Sequence, residues 1–409
     1  MGIFAYRTLL RRVAWQWDFA IYSAASRAWG AGQNPYDERL LYENWRQQGG
    51  GMFRDISWLQ SIVPPTTLAV MYPFAMLPRV AAFWSWYVFN CVCVAVMIVA
   101  LLDLAQLKRA SAAALVLAAW ILVLGPVQSG VHAGQPAVAA VALIVGAIWC
   151  VSRDYLVLAG ALLGLAAAFK LQLAAPFILY YLLMFRWRLF AAAAVTFLLI
   201  ATIALGRLQL AQVIWLGDWT ANVQRASING GPNDFTTGNP NRDHLTSLQV
   251  LFYAMFGSRN VAHAVTALVT ILAAAVYAGI VSRRRKQNKD LIFLAPLAVL
   301  TLLPVYHRYY DASLLALVVA ACFATGARRE SGISLMLLLP FLLPVGWAVN
   351  LVRYGHLPTS VTTSAVWNVL IMSFWSWWLL VLLVVLLLAL HHTPLDADLN
   401  APDAAATLP

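Results

Sequence analysis

The chain has 409 residues, of which 62% are hydrophobic and only 11% are charged, and its mean hydropathy is +0.75. A soluble domain carries about 25% charged residues, so this composition excludes a soluble protein and predicts an all-α polytopic membrane protein. The net charge of +11 comes from short basic clusters between apolar runs, which is typical of cytoplasmic loops and excludes a nucleic-acid partner.

Eleven apolar runs follow one another along the chain, and we interpret them as a bundle of about 11 transmembrane helices over residues 80–392. The runs are Val80–Leu102, Ala112–Val127, Gly134–Val151, Tyr155–Phe169, Leu171–Phe185, Leu189–Leu205, Val261–Val281, Leu291–Val305, Tyr309–Thr325, Ile333–Leu351 and Trp367–Leu390. Several of them are shorter than the roughly 20 residues that a spanning helix needs. The small and polar residues at 393–409 predict a disordered cytoplasmic tail.

Basic residues recur in every second connection between these runs. They are Lys108–Arg109, Arg153, Arg186 with Arg188, Arg283–Lys286 and Arg328–Arg329. The positive-inside rule places those connections in the cytoplasm, so the turn near Lys170 and the long connection 207–260 face the outside. The sequence therefore predicts a multi-pass protein of the cell membrane, a bacterial inner membrane, with its functional face toward the periplasm or exterior.

Residues 1–79 are expected on the same outer face. The stretch Asp18–Gly30 predicts an amphipathic helix. Pro64–Leu77 is apolar but short and interrupted by proline, which predicts a re-entrant or interfacial segment. The three arginines among the first twelve residues then lie outside, against the charge rule. We therefore expect either an extracytoplasmic N-terminus or a further helix upstream of this sequence.

Ionisable residues near membrane depth are costly, which makes them candidates for function. Asp18 stands at the start of the amphipathic helix, where the helix dipole favours a carboxylate. We interpret it either as a helix cap or as a general base for an acceptor hydroxyl. Lys170 separates two apolar halves, and it is either an interfacial anchor or a contact to an anionic group such as a phosphate.

The run Val305–Asp311 places a histidine, an arginine and an aspartate among three tyrosines at the outer end of two helices. Aromatic belts explain the tyrosines but not the other three residues, so His307 or Arg308 is predicted to be functional. Gln135 precedes a proline and is either a cap or a contact to a sugar hydroxyl.

The middle of the long connection, residues 229–243, is rich in turn formers. Loops of this length are usually functional or disordered. Its charged side chains, taken singly, are more often solvated groups than catalysts. No metal-binding or nucleotide-binding motif occurs in the chain, so the sequence predicts neither a metal nor a cofactor.

Several short motifs, taken in order, resemble those of glycosyltransferase family 87. The stretch from Asp18 to Tyr36 is similar to the family's opening Asp-Phe pair, amphipathic helix and Gly-x-x-Pro-Tyr end. The further matches are Pro64-Pro65, Gly134-Gln135, Lys170-Leu-Gln172, Arg186-Trp-Arg188, the stretch from Asn241 to Leu248, and His307-Arg-Tyr-Tyr310. Each motif is weak alone, but the ordered set covers most of the chain.

The resemblance implies a GT-C-like bundle with an extracytoplasmic amphipathic first loop. It also implies an enzyme that takes mannose, or a similar hexose or pentose, from a polyprenyl-phosphate donor. Asp18 would then be the general base of an inverting single displacement. Lys170, His307 and Arg308 would bind the donor phosphate. In the family a transmembrane helix normally precedes the catalytic Asp, and none is visible here.

The same resemblance defines the expected partners of the site. Sugar or acceptor contacts are expected from Tyr22, Tyr36, Gln135, Arg242 and His244. The partners would be membrane lipid, the lipid-linked sugar donor, and a glycolipid or glycan as acceptor, with no other cofactor and no metal.

Two other classes of protein fit the composition. A transporter or flippase often shows inverted repeats and charges at the membrane midplane. This chain shows no repeat, and its polar residues collect at one face. An inactive membrane scaffold is the third interpretation. A sugar-transfer assay distinguishes the three.

Overall fold

The computed structural model describes residues 16–47, 59–284, 290–325, 329–347, 350–351, 355 and 357–392. Helix makes up 79% of the structure and there is no strand among the described residues, which confirms the all-α prediction. The predicted tail at 393–409 and the first fifteen residues lie outside the described part of the chain.

The helices alternate with short turns along most of the chain. The α-helices are α1 (Trp17–Gly30), α2 (Glu38–Gln47), α3 (Pro65–Ala75), α4 (Arg79–Leu104), α5 (Ala112–Val123), α6 (Gly125–Ala133), α7 (Pro136–Ser152), α8 (Leu156–Leu183), α9 (Trp187–Leu210), α10 (Leu216–Ser227), α11 (Leu248–Phe256), α12 (Arg259–Arg284), α13 (Asp290–Thr301), α14 (Leu315–Ala324), α15 (Arg329–Leu338), α16 (Thr359–Thr362) and α17 (Phe374–His392). Short 3-10 helices cover Arg242–His244, Tyr309–Leu314 and Leu339–Leu342, and a π-helix covers Trp367–Met372.

By length and composition alone, five of these helices could cross a membrane, namely α4, α8, α9, α12 and α17, with α8 taken as one helix across its break at Lys170. The pair α5 and α6 meets at a 50° bend and makes a sixth if the pair is one span. Other apolar helices, such as α7, are shorter. The polytopic membrane class is thus supported by five to six candidate spans, and the number of about 11 stays a prediction.

Helix α8 is folded back on itself at Lys170, whose backbone is non-helical with φ −151° and ψ 90°. A straight α8 would place Gly160 about 35 Å from Leu183. The six residues from Leu183 to Leu189 extend about 22 Å at most. Yet a Cβ atom on Gly160 would collide with the carbonyl oxygen of Leu189. The chain therefore turns sharply at Lys170, in agreement with the predicted turn there.

The first leg of α8 packs against α9 through two glycines spaced as Gly-x-x-x-Gly. A Cβ on Gly164 would lie 2.5 Å from the Ala193 carbonyl oxygen and 2.8 Å from the Thr196 Cβ. Gly160 makes an equally close approach one turn earlier. Small residues at this spacing let two helix backbones meet closely, which is how membrane helices gain packing energy.

We expect Gly164→Ala to destabilise the protein, because the added methyl group would meet backbone rather than a flexible side chain. Overpacking of this kind costs about 1–3 kcal/mol. Gly279→Ala in α12 is the matched control, since no atom lies within 4 Å of the added Cβ. The thermal unfolding midpoint of each purified variant in detergent measures the effect. Equal midpoints for the two variants would contradict the close packing of α8 on α9.

The two ends of the bundle differ in charge. The basic connections lie at one end, hereafter the basic end, where Arg153 forms an ion pair with Asp103 at 2.7 Å and Arg284 donates to the His391 carbonyl at 2.6 Å. The opposite end, hereafter the loop end, carries Lys170 and the long connection. The two legs of α8 have 14 residues each and α7 has 17, which corresponds to about 20–25 Å, whereas α4, α9 and α12 have 24 to 26 residues.

Candidate functional site

Helix α1 is buried at the loop end rather than lying on a surface. Most of the apolar side chains of the helix are buried, and the polar Ser23 and Ser26 are buried as well. Phe19 stacks on Trp86 of α4 at a centroid distance of 5.5 Å. This packing fixes the helix and therefore the direction of the residue that precedes Phe19, Asp18.

The Asp18 carboxylate faces α7. The Gln135 amide donates a hydrogen bond to Asp18 Oδ2, and the Tyr22 hydroxyl donates to Gln135 Oε1 at 3.2 Å. The N-cap of α1 is Gln16, without a side-chain cap bond, so a helix cap does not explain Asp18. Burial, and next the charge of Asp18, raise the pKa of Tyr22 well above its usual value. Tyr22 therefore stays protonated and orients the amide that holds Asp18.

The position of Gln135 is fixed by the turn that ends α6. Gly134 adopts a left-handed conformation with φ +69°, and a Cβ there would lie 2.7 Å from the Phe19 Cβ. The Trp86 indole donates to the Gly134 carbonyl at 2.8 Å. Only glycine combines this backbone conformation with this close approach. Gln135 thus reaches Asp18 from a fixed backbone, and both ends of its amide are engaged within the site.

Lys170 extends from the fold of α8 into a second polar group. Its ammonium lies 2.5 Å from Asp311 Oδ1 and 4.7 Å from the ring centroid of Tyr310. The other carboxylate oxygen of Asp311 meets His307 Nδ1 at 3.2 Å and accepts from the Arg308 backbone N–H at 3.2 Å. The structure therefore gathers Lys170, His307 and Arg308 around one carboxylate that was not among the predicted site residues.

The Arg308 guanidinium interacts electrostatically with the Asp18 group. Burial alone would lower the pKa of Arg308, but Tyr310, Asp18 and Tyr22 outweigh it and raise the pKa above its usual value. The guanidinium is therefore charged and lies within the electrostatic reach of Asp18. It also donates to the Pro232 carbonyl at 2.8 Å, which ties the site to the long connection.

The long connection is ordered around the Asp234 carboxylate. This group accepts from the backbone N–H groups of Gly230 and Thr236, each at 2.9 Å, and pairs with Arg259 at 2.8 Å. Burial alone would raise the pKa of Asp234, but these hydrogen bonds and the Arg259 charge outweigh it and lower the pKa. The result is a fixed turn whose Pro232 carbonyl receives Arg308.

The end of the long connection contacts the stretch that contains His307. The Thr246 N–H donates to the His307 carbonyl at 2.8 Å. Arg242 is buried, and its guanidinium donates to Asn368. His244 lies beside Gly346, where an added Cβ would be 3.0 Å from its Nε2. Both predicted residues are thus at the loop end, and their sugar or acceptor contacts stay predictions.

Tyr36 is buried, and its hydroxyl is bonded within the protein. Its side chain is 1% exposed, and its hydroxyl donates to the Val63 carbonyl at 2.9 Å. Asn222 of α10 donates to the carbonyls of Tyr36 and Ser61 at 3.0 and 2.9 Å. Tyr36 therefore ties α10 to the segment before α3, and its predicted contact with sugar or acceptor stays a prediction.

The part of the chain that the structure describes contains no group of three or more His, Cys, Asp or Glu residues that could hold a metal ion. The site consists instead of one amide-held carboxylate and a cluster of cationic and imidazole groups. Such a set can accept a proton from a hydroxyl and stabilise an anionic leaving group.

These features define a polytopic α-helical membrane protein with a polar site at one end of its bundle. The sequence model of glycosyltransferase family 87 matches residues 62–293, more than half of the chain, and the protein belongs to this family. It is therefore a membrane glycosyltransferase. The matched region contains Gln135 and Lys170, whereas Asp18 and His307 lie outside it. No curated protein and no solved structure matches the chain.

Proposed function

We propose that this glycosyltransferase moves mannose, or a similar hexose or pentose, from a polyprenyl-phosphate donor to an acceptor hydroxyl. The observation that carries the proposal is that a held carboxylate, Asp18, and the cationic groups Lys170 and Arg308 lie at the same end of an apolar bundle, where the charge of Asp18 contributes to the raised pKa of Arg308. The donor already has a phosphate leaving group, so the protein must supply a base for the acceptor and cations for the departing phosphate.

The reaction is an inverting single displacement. The acceptor oxygen attacks the anomeric carbon and forms the new glycosidic bond, while Asp18 takes the hydroxyl proton. The bond between the anomeric carbon and the phosphate oxygen breaks, and polyprenyl phosphate leaves with the electron pair. Gln135 holds Asp18 Oδ2, which leaves Oδ1 for the acceptor. Lys170, Arg308 and His307 balance the charge on the leaving phosphate.

The depth of the cationic group favours a lipid-linked donor. Lys170 lies one helical leg, about 20 Å, from the basic end, and a bilayer core is about 30 Å thick. A phosphate at that depth is within reach of a carrier whose tail stays in the membrane. The partners we propose are therefore membrane lipid, the polyprenyl-phosphate sugar and a glycolipid or glycan acceptor, in a GT-C-like architecture.

The charge distribution supports a site on the extracytoplasmic face of the cell membrane. Arg153, Arg186, Arg284 and Arg329 belong to the connections at the basic end, and the positive-inside rule assigns such an end to the cytoplasm. The loop end, with Asp18, then faces the periplasm or exterior.

A transfer assay with the purified full chain tests the proposal. We expect labelled sugar to pass from a polyprenyl-phosphate sugar to a glycolipid acceptor and not from a nucleotide-activated sugar. Turnover of the nucleotide-activated sugar alone would refute the donor assignment. Uptake of solute into proteoliposomes without any glycosylated product would instead support the transporter interpretation.

A further inference from the structure

Asp311 is a buried carboxylate whose two oxygens contact Lys170, His307 and the backbone of Arg308. Its side chain is 3% exposed. Oδ1 binds the Lys170 ammonium, and Oδ2 meets both His307 Nδ1 and the Arg308 backbone N–H. A carboxylate engaged in this way is a poor acceptor for a substrate proton, because it would have to give up an ion pair. Its role must therefore be different from that of Asp18.

The contact with Asp311 determines which nitrogen of His307 is available. A carboxylate accepts hydrogen bonds, so the proton of the neutral ring resides on Nδ1. The ring is 0% exposed, and Nε2 has no hydrogen-bond partner among the described residues. Buried polar atoms are nearly always paired, so an unpaired one in a polar site indicates the place of a ligand. In a protonated imidazole Nε2–H donates to a phosphate oxygen, and in a neutral one Nε2 accepts from a phosphate hydroxyl.

Lys170 depends on the same carboxylate. It sits at the point where α8 folds back, and its side chain is only 11% exposed. The Asp311 contact fixes the direction of a long, flexible side chain that has three donors. One donor is taken by Asp311. The described residues give the ammonium no second hydrogen bond, so its other donors can face an anion. The pairing spans 141 residues of sequence.

We propose that Asp311 is a positioning residue that directs Lys170 and His307 Nε2 together at the phosphate of a lipid-linked ligand. This inference rests on the proposed function, because the ligand is the phosphate of its donor. It adds that the carboxylate acts through Lys170 and His307 and does not touch the reacting atoms.

Binding of a short polyprenyl phosphate tests the inference without any transfer step. Farnesyl phosphate is the probe, and the alcohol farnesol is the matched neutral ligand. Two substitutions of His307 separate the contribution of its Nδ1 contact from that of its Nε2 contact. His307→Asn places an amide near Nδ1 and loses the Nε2 group, whereas His307→Gln reaches the Nε2 position and gives up the Asp311 contact.

We expect the wild-type protein to bind farnesyl phosphate at least tenfold more tightly than farnesol. His307→Gln should lose less affinity than His307→Asn, because its amide still reaches the phosphate although Asp311 no longer orients it. His307→Asn should lose about tenfold or more, the size of one hydrogen bond to a charged group. Asp311→Asn should lose about as much as His307→Asn. Asp103→Asn is the control, because it changes an ion-paired carboxylate at the basic end and should leave binding unchanged.

Equal affinity of the two His307 variants, or wild-type affinity in Asp311→Asn, would overturn the inference. So would equal binding of farnesyl phosphate and farnesol by the wild-type protein. If Asp311→Asn fails to fold, the two His307 variants still decide the question. The predicted binding order without any sugar transfer would refute the proposed function and leave the phosphate site standing. Sugar transfer without that binding order would refute the phosphate site and leave the proposed function standing.

Discussion

Asp18→Asn is expected to abolish most sugar transfer while leaving the fold intact. The amide keeps the size of the side chain but cannot accept the acceptor's proton, and general-base catalysis contributes about 10²–10⁴-fold. Gln135, which donates to Asp18 Oδ2, can still donate to the amide oxygen of the variant. The rate of transfer from a polyprenyl-phosphate sugar, at saturating donor, measures the loss.

Asp37→Asn is the matched control for that variant. Asp37 lies in the same N-terminal region and accepts hydrogen bonds from the Arg39 and Leu40 N–H groups at 2.9 and 3.2 Å. It is therefore a true helix cap, and asparagine caps helices about as well. We expect near wild-type transfer from this control. Transfer by Asp18→Asn at a similar rate would remove Asp18 as the base.

Local sequence features were sufficient to predict the membrane class and to single out several polar residues that the structure brings together, whose roles stay predictions. Long apolar runs predict helices because the bilayer offers the backbone no other hydrogen-bond partners. An ionisable residue inside such a run indicates function because its burial is costly. This reasoning identified Lys170, which lies at a break in α8, and Asp18, which faces Gln135 rather than capping α1.

The contacts between distant segments could not be read from the sequence. Asp311 pairs with a lysine 141 residues away, and no periodicity encodes such a pairing. The order of the long connection depends on one carboxylate, Asp234, which resembles any other loop aspartate in the sequence. Tyr36 fits a family motif, but its hydroxyl is taken by a carbonyl of the chain. The number of spans also depends on folds within single apolar runs.

The Lys170–Asp311 pair leads to the largest expected effect on stability. Lys170→Met would leave the Asp311 carboxylate buried without its ammonium partner. Breaking a buried ion pair from one side costs about 3–5 kcal/mol, because the remaining charge is uncompensated. Lys170→Met/Asp311→Asn removes both charges, so we expect most of the thermal stability to return. Transfer should not return, because the cations that meet the donor phosphate are lost or misdirected.

The exposed pair at the basic end provides the comparison for this effect. Arg153→Met also removes a cation from an aspartate, but the two side chains are 51% and 37% exposed, and such pairs contribute about 0–1 kcal/mol. Its unfolding midpoint and its transfer rate should stay close to wild type. Unfolding midpoints in detergent and transfer rates are compared across the four proteins. Equal instability of the single and double Lys170 variants would show that the lysine stabilises the fold by packing, not by charge. Recovery of transfer in the double variant would show that the donor phosphate does not need this cation.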